Sequence, residues 1–265
     1  MKIYIPTLGR SDKQITFLNL PKFLQEKTHL VIQPAEKHLY DNFPVIVLPE
    51  NDIGISRTRQ FIYDLAGESL WGIIDDDILI KERRPKEKPT KIPMREDGWK
   101  YFYDKTVEWL ETDFSFVGVR RGNLPPNGKE YIDNSETIVC VFYNGHKIPK
   151  SNELVWNYDL LCGDVNLNMQ LLLKGHKNRV WCKYGYVADW GQKGGCQHGI
   201  RKRTPELQEK SHQKLVETFP EFVKWKTQNG KISISINKNL SGFKMIKCYY
   251  NKAAKYSNVS RLNYE

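Results

Sequence analysis

Over the first 80 residues, short apolar runs alternate with stretches in which apolar side chains recur every three or four positions. Lys2-Ile3-Tyr4-Ile5 reads as a strand that stops at the polar turn Pro6-Thr7-Leu8-Gly9-Arg10. Ile15, Leu18, Phe23 and Leu24 mark a helical stretch that Pro21 interrupts or restarts, because proline lacks the amide donor a helix interior needs. Leu30-Val31-Ile32 predicts a second strand closing at Gln33-Pro34, residues 36–43 a brief helix, and Val45-Ile46-Val47-Leu48 a third strand stopped by Pro49. After the loop Asn51-Asp52-Ile53-Gly54-Ile55-Ser56, the residues Thr58, Phe61, Ile62, Leu65 and Ala66 keep helical spacing, and Gly67 is placed to end that helix. Leu70-Trp71-Gly72-Ile73-Ile74 is then a buried-strand run that meets three carboxylates, Asp75, Asp76 and Asp77.

The pattern loosens beyond this point. Residues 81–95, rich in Lys, Arg, Glu and Pro, read as an exposed loop. Trp99, Phe102, Tyr103, Thr106 and Leu110 mark an amphipathic helix, and residues 114–119 and 137–143 two further strands joined through the Gly- and Pro-containing segment 122–128. Val165, Met169, Leu172 and Leu173 share a helix face with Gly175 at its end, and Val180-Trp181-Cys182 reads as a last core strand. A Gly-rich loop over 189–198 runs into a tail with a helix (Leu207, Leu215, Phe219) and a strand at 232–236. Strands alternating with helices predict an α/β fold whose central sheet is mostly parallel and flanked by helices, with ligands held beyond the carboxyl ends of the strands. Residues 1–200 form the predicted main domain and 201–265 a C-terminal extension.

Several candidate residues fall at that edge. Three adjacent acids are expensive to bury unpaired, so the triplet fits a strand end facing a crevice. On extended backbone Asp75 and Asp77 point one way and Asp76 the other, and two convergent carboxylates suit Mg²⁺ or Mn²⁺; the alternative is a solvated acidic turn. Thr7, Arg10 and Gln33 lie on neighbouring turns of the same edge. Arg57 and Arg59 open a helix, where backbone amides and guanidinium groups together suit a diphosphate. A plain surface charge is the competing assignment, and the stronger one for Arg59. Asp164 precedes a helix and is read either as its N-cap or as a general base, roles one carboxylate can combine. His198 is a candidate nitrogen ligand for the same metal or a structural histidine. With Cys196 it makes no zinc site, since a second close pair is missing.

Composition adds two constraints. No apolar run approaches a membrane span, and five cysteines scattered over positions 140, 162, 182, 196 and 248 make no disulfide framework, so a reducing, cytoplasmic compartment is expected. The net charge is +10, and the stretch from Arg201 to the end carries 14 Lys or Arg against 5 Glu, a net of +9. Positive charge interleaved with Trp225, Phe243, Tyr249, Tyr250 and Tyr256 suits a phosphate backbone, with solubility or an acidic protein as the alternative.

The Pro-Thr-Leu-Gly-Arg turn, Gly54-Ile55-Ser56-Arg57-Thr58-Arg59-Gln60 opening a helix, and Ile73-Ile74-Asp75-Asp76-Asp77-Ile78, taken in this order, resemble GT-A (Rossmann-like) nucleotide-sugar glycosyltransferases. More narrowly they resemble the phage TET-associated glycosyltransferases, over residues 2–200. The resemblance implies a metal-dependent transfer of sugar from a nucleoside diphosphate sugar, UDP-linked by expectation, to a hydroxymethylated pyrimidine of double-stranded DNA in the host cytoplasm. It implies metal and nucleotide-sugar contacts at Asp75 and Asp77, a sugar or ribose contact at Asp76, and nucleotide contacts at Arg57 and the Thr7 turn. Asp164 falls where such enzymes place a catalytic acid, although Gly163 stands where a second acid is usual, and His198 matches a late metal ligand in order. Trp190, Tyr184 and Tyr186 are candidate surfaces for stacking a flipped base, with a place in the aromatic core as the stronger alternative for at least one of them. No membrane and no obligate protein partner is implied. The same fold acting on polysaccharide or protein, a DNA-binding module without catalysis, and a metal nuclease are the rival readings.

Overall fold

A computed structural model describes residues 1–83, 92–124, 128–135, 137–156, 161–188, 194–195, 203–220, 222–228 and 231–236. The first half follows the predicted alternation: β1 (Lys2–Pro6), α1 (Ile15–Asn19), α2 (Lys22–Gln25), β2 (Thr28–Ile32), a 3-10 turn at Pro34–Leu39, β3 (Val45–Val47), α3 (Gly54–Ala66) and β4 (Leu70–Ile74). Pro21 stands as the N-cap of α2, so the predicted interruption is a full break between two short helices. Then come β5 (Ile78–Glu82), β6 (Ile92–Pro93), α4 (Glu96–Glu111), β7 (Phe116–Arg121), β8 (Tyr131–Asp133), β9 (Cys140–Asn144), α5 (Gly163–Leu173) and β10 (Asn178–Ala188). The described part of the tail holds α6 (Pro205–Thr218) and a hairpin of β11 (Val223–Gln228) and β12 (Lys231–Ile236).

The main sheet runs β3-β2-β1-β4-β9-β7-β10-β5-β6, with β8 on β10. From β3 to β4 every pair is parallel, as the alternation predicts. Beyond β4 the sheet is mixed rather than mostly parallel. β9 is antiparallel to both β4 and β7, and β10 is parallel to β7 but antiparallel to β5 and β8. A parallel pair needs a long crossover, usually a helix. Among the described residues no helix separates β7 from β9 or β5 from β6, and each of these pairs is antiparallel. Part of the predicted 81–95 loop is likewise strand, since Lys81 and Glu82 pair with Pro93 and Ile92; residues 84–91 lie outside the described part.

Helices cover both faces. Phe17, Leu24, Trp99, Phe102, Trp109 and Leu110 pack α1, α2 and α4 on one side, and Ile62, Tyr63, Ala66, Leu167 and Leu171 pack α3 and α5 on the other. Leu215, Phe219 and Val223, inside the stretch read as an extension, are buried in the first of these cores. Tyr184 and Tyr186 belong to it too, exposed by only 1% and 3%. They are therefore core residues and not surfaces for a base; Trp190 lies outside the described residues. Among the described residues no helix is long and apolar enough to cross a membrane.

Candidate active site at the strand edge

β1 and β4 are parallel neighbours, so the turn after Pro6 and the acids after Ile74 come out side by side. β4 stops at Ile74, and the acids form a tight turn before β5. Strand alternation therefore does not govern them, and the expected pairing of Asp75 with Asp77 gives way to a different division. Asp76 and Asp77 both face Arg10, the first in direct contact and the second at 3.1 Å, while Asp75 turns to Arg59 at 3.1 Å. Asp76, 4% exposed, also accepts a hydrogen bond from Thr7 Oγ1 at 2.6 Å. Gln14 Nε2 lies 3.0 Å from Thr7 Oγ1 and 2.7 Å from the Arg10 carbonyl, holding the first turn in shape.

The turn itself is tied from α1. The Thr16 hydroxyl donates to the Asp75 carbonyl at 2.6 Å and accepts from the Ile78 amide at 3.0 Å, and the Thr16 amide donates to the Asp76 carbonyl at 3.1 Å. From the other side the Asp75 amide donates to the carbonyl of Val139, at 2.9 Å. Val139 has a φ of 71°, a left-handed conformation that is costly for a β-branched residue and is found where surrounding structure enforces it.

Gln33 sits one turn over. Its Nε2 donates to Glu36 at 3.2 Å, its Oε1 accepts from the Asp52 amide at 3.2 Å, and Glu36 in turn accepts from the Gly9 amide at 2.9 Å and 3.1 Å. Gln33 thus joins the first turn to the loop that leads into α3. No side chain caps the N-terminus of α3. Arg57 is exposed on its first turn. Residues two apart project to opposite sides of a helix, and Arg59 instead points inward: its Nη2 meets Asp75 and its Nη1 lies 3.9 Å from Asp164.

Asp164 is in the first turn of α5 and accepts from the Val165 amide at 2.9 Å. The N-cap is Cys162, at φ 62°, so the reading of Asp164 as the cap residue is corrected. Gly163 has its own explanation. A Cβ there would stand 2.8 Å from Ser56 Oγ, so the close approach of the α3 and α5 N-termini leaves no room for a second acid.

The electrostatics separate the acids further. Burial pushes the Asp75 carboxyl up to about 7; Arg59 opposes this, and the charges of Asp164, Asp77 and Asp76 add to it. Burial raises Asp76 to about 6 against the pull of Arg10 and the Thr7 hydrogen bond. Neither acid is at its ordinary value, as groups at functional sites often are not.

The structure thus brings Thr7, Arg10, Asp75, Asp76, Asp77 and Asp164 together, with Gln33 one turn away and Arg57 on the rim. His198 lies outside the described residues. Among the described residues no three His, Cys, Asp or Glu side chains form a metal-holding group. Thr16, Glu36 and Gln14 are the residues that sequence reasoning missed, and Arg59, for which a surface charge was the stronger assignment, is instead paired inside the site. Arg59 carried a signal in its helix-opening position beside Arg57; the other three had none, because their partners are distant in sequence.

One acid-ended strand, a helix N-terminus without a side-chain cap and a fourth acid on a facing helix thus meet at one edge of the α/β sheet. The family model described as TET-Associated Glycosyltransferase matches residues 1–195, and the chain belongs to that family. It is 24% identical over 257 residues to the Beta-glucosyl-HMC-alpha-glucosyl-transferase of Enterobacteria phage T2, covering 89% of this chain and 88% of that one. The phage T6 protein of the same name is 25% identical over 223 residues, covering 76% and 75%. Among solved structures, S. aureus TarS 1–349 in complex with UDP-GlcNAc aligns over 95% of this chain and 99% of its own, with 11% identity and a TM-score of 0.49.

Proposed function

We propose that this glycosyltransferase moves a sugar, glucose by analogy with the phage relatives, from a nucleoside diphosphate to the hydroxyl of a 5-hydroxymethylpyrimidine in double-stranded DNA. The observation that carries the reading is the chain Asp75–Arg59–Asp164, which links the end of β4 to the first turns of α3 and α5. On this reading residues 1–200 bind the donor and perform the transfer, and the basic stretch 201–265 binds the acceptor.

The donor nucleotide lies along Thr7, Arg10 and Gln33, with its diphosphate against the uncapped amides of α3 and Arg57. Mg²⁺ or Mn²⁺ is the expected cofactor, and when bound it neutralises charge gathering on the departing diphosphate. The residues present suit such an ion. Asp75 and Asp77 keep partly open carboxylates of the hard-oxygen type these metals take, whereas Asp76 is occupied with Thr7 and Arg10. His198 would complete the set. Asp76 holds the turn and lies near the ribose or sugar.

Asp164, oriented by Arg59, removes the acceptor proton as the hydroxyl attacks the anomeric carbon, and the linkage inverts. The alpha-glucosyl part of the relatives' printed name, Beta-glucosyl-HMC-alpha-glucosyl-transferase, favours a second role. An α-linked product from an α-linked donor is retention, in which Asp164 stabilises positive charge developing on the sugar and removes no proton. Incubation with Mn²⁺, a panel of nucleotide sugars and hydroxymethylcytosine duplex, followed by mass measurement of the digested nucleosides, tests the reaction. An added hexose or pentose supports it, and the anomeric linkage of that product assigns Asp164. Intact DNA binding with no mass change removes the proposal.

A further inference from the structure

On the β7–β10–β5 side of the sheet lies a second charged group with the opposite balance. Arg83 follows β5 directly and is 6% exposed. Its Nη2 donates to the Leu124 carbonyl, while Nε and Nη1 are buried with no hydrogen-bond partner. Burial, and after it the charge of Arg120, push its pKa down against a smaller pull from Cys182, and no carboxylate among the described residues offsets them. Arg120 itself meets only a soft acceptor, with its Nη1 3.9 Å from Cys182 Sγ. Gly185 allows the arrangement, because a Cβ there would stand 2.8 Å from Arg83 Cδ and 2.9 Å from the Gly122 Cα.

A buried guanidinium with two idle donors beside another guanidinium costs stability, and a dianionic or monoanionic oxygen ligand is what would satisfy both. The register locates this pair relative to the acids. Ile73 pairs with Val141 and Val141 with Gly118, so β7, which carries Arg120, is the second strand from β4. Two strand spacings, about 10 Å, separate the strand of Arg120 from that of the acids, and Arg83 follows β5, two strands further out. Phe116 faces the α3 and α5 layer, so strand alternation puts Arg120 on that same side, where Arg59 and Asp164 meet Asp75.

We propose that Arg83 and Arg120 form a phosphate subsite that holds a backbone phosphodiester of the acceptor DNA beside the nucleotide being modified. The proposal rests on the DNA acceptor argued above. Phosphate oxygens reach this corner from two sources, the DNA backbone or the donor diphosphate, and the test separates them.

Binding of a fluorescein-labelled hydroxymethylcytosine duplex is followed by anisotropy across a series of KCl concentrations for the full chain and for R120Q, R120K and R83Q, and UDP affinity is measured in parallel. Each phosphate neutralised contributes a slope of about −0.9 in log K against log salt. R120Q should weaken duplex binding several-fold and lose about one such unit of slope, R120K should restore the slope, and UDP affinity should stay at the wild-type value. R83Q should do the same; if it fails to fold, R120Q and R120K still decide the outcome. A wild-type salt slope in R120Q overturns the subsite, and so does a loss confined to UDP, which would assign the corner to the donor. Sugar transfer to DNA with an unchanged R120Q slope defeats this inference alone. A slope change without any sugar transfer defeats the proposed reaction and leaves the subsite standing.

Discussion

The acid turn after β4 and the arginine corner, formed by Arg120 two strands away on β7 and Arg83 four strands away after β5, handle buried charge in opposite ways. At the acid turn every carboxylate faces a guanidinium: Asp76 and Asp77 share Arg10, and Asp75 and Asp164 share Arg59. At the corner, Arg83 lies beside Arg120 with no acid among the described residues to offset the two charges. A matched set can persist as it is and give up one contact when a cation arrives. An unmatched set is complete only when an anion is present. On the proposed reading the first takes a metal and a donor and the second a phosphate, so that one sheet would grip two anionic substrates.

The sharpest way to break this contrast is to remove an open acid. D77A and D75A should each lower sugar transfer by two orders of magnitude or more, read as glycosylated nucleoside per unit time; full activity in either would remove the metal–diphosphate role. D164N should lower kcat by a similar amount, roughly 100-fold, if the carboxylate acts as base, and should change donor affinity little.

Asp76 tests the matched side through stability instead. D76A removes the Asp76 contacts to Arg10 and Thr7, and stripping one partner from a buried pair costs on the order of 3 kcal/mol. That should appear as a melting temperature lower by roughly 10 °C in a thermal scan, with D76N intermediate. A D76A protein as stable as the wild type would make the Thr7–Arg10–Asp76 contacts incidental.

The smallest effect is the pH response. The raised values of Asp75 and Asp76, about 7 and about 6, mean that the folded chain holds protons the unfolded chain has released. Their contribution to stability is fully present below the unfolded carboxyl value of about 4, falls as pH rises through 6 and 7, and is gone above. Without metal, the melting temperature should therefore decline by a few degrees over that window, and D75N should flatten the decline. Because ligand carboxylates must be deprotonated, the stabilisation added by Mn²⁺ should grow over the same range. A metal effect equal at pH 5.5 and 7.5 would place the ion elsewhere.

The parts of this architecture that were legible in the sequence are those that depend on neighbours along the chain. The four parallel strands, the break at Pro21, the helix ended by Gly67 and the acid-tipped strand all follow from local periodicity and punctuation. The mixed half of the sheet was not legible, because the direction of β5 and β9 depends on which strands they meet across the fold. At the site, Thr7, Arg10 and Asp164 were found from strand and helix ends. The sorting of three adjacent acids between Arg10 and Arg59 was not, since it is set by a turn whose ties come from α1 and β9. Tyr184 and Tyr186 were misassigned for a related reason: aromatic residues near a Gly-rich loop look available until a helix such as α4 is packed over them.

The hydroxyl of Thr16 bonds both ends of the acid turn from a position 59 residues earlier in the chain. The three aspartates are therefore one word in the sequence but part of a four-segment object in space. Moved alone into another sheet, the triplet would keep its letters and lose its shape. Inheritance must carry the threonine and the acids together, and a relative whose triplet is intact but whose counterpart of Thr16 is apolar is the one in which the turn should be found rearranged.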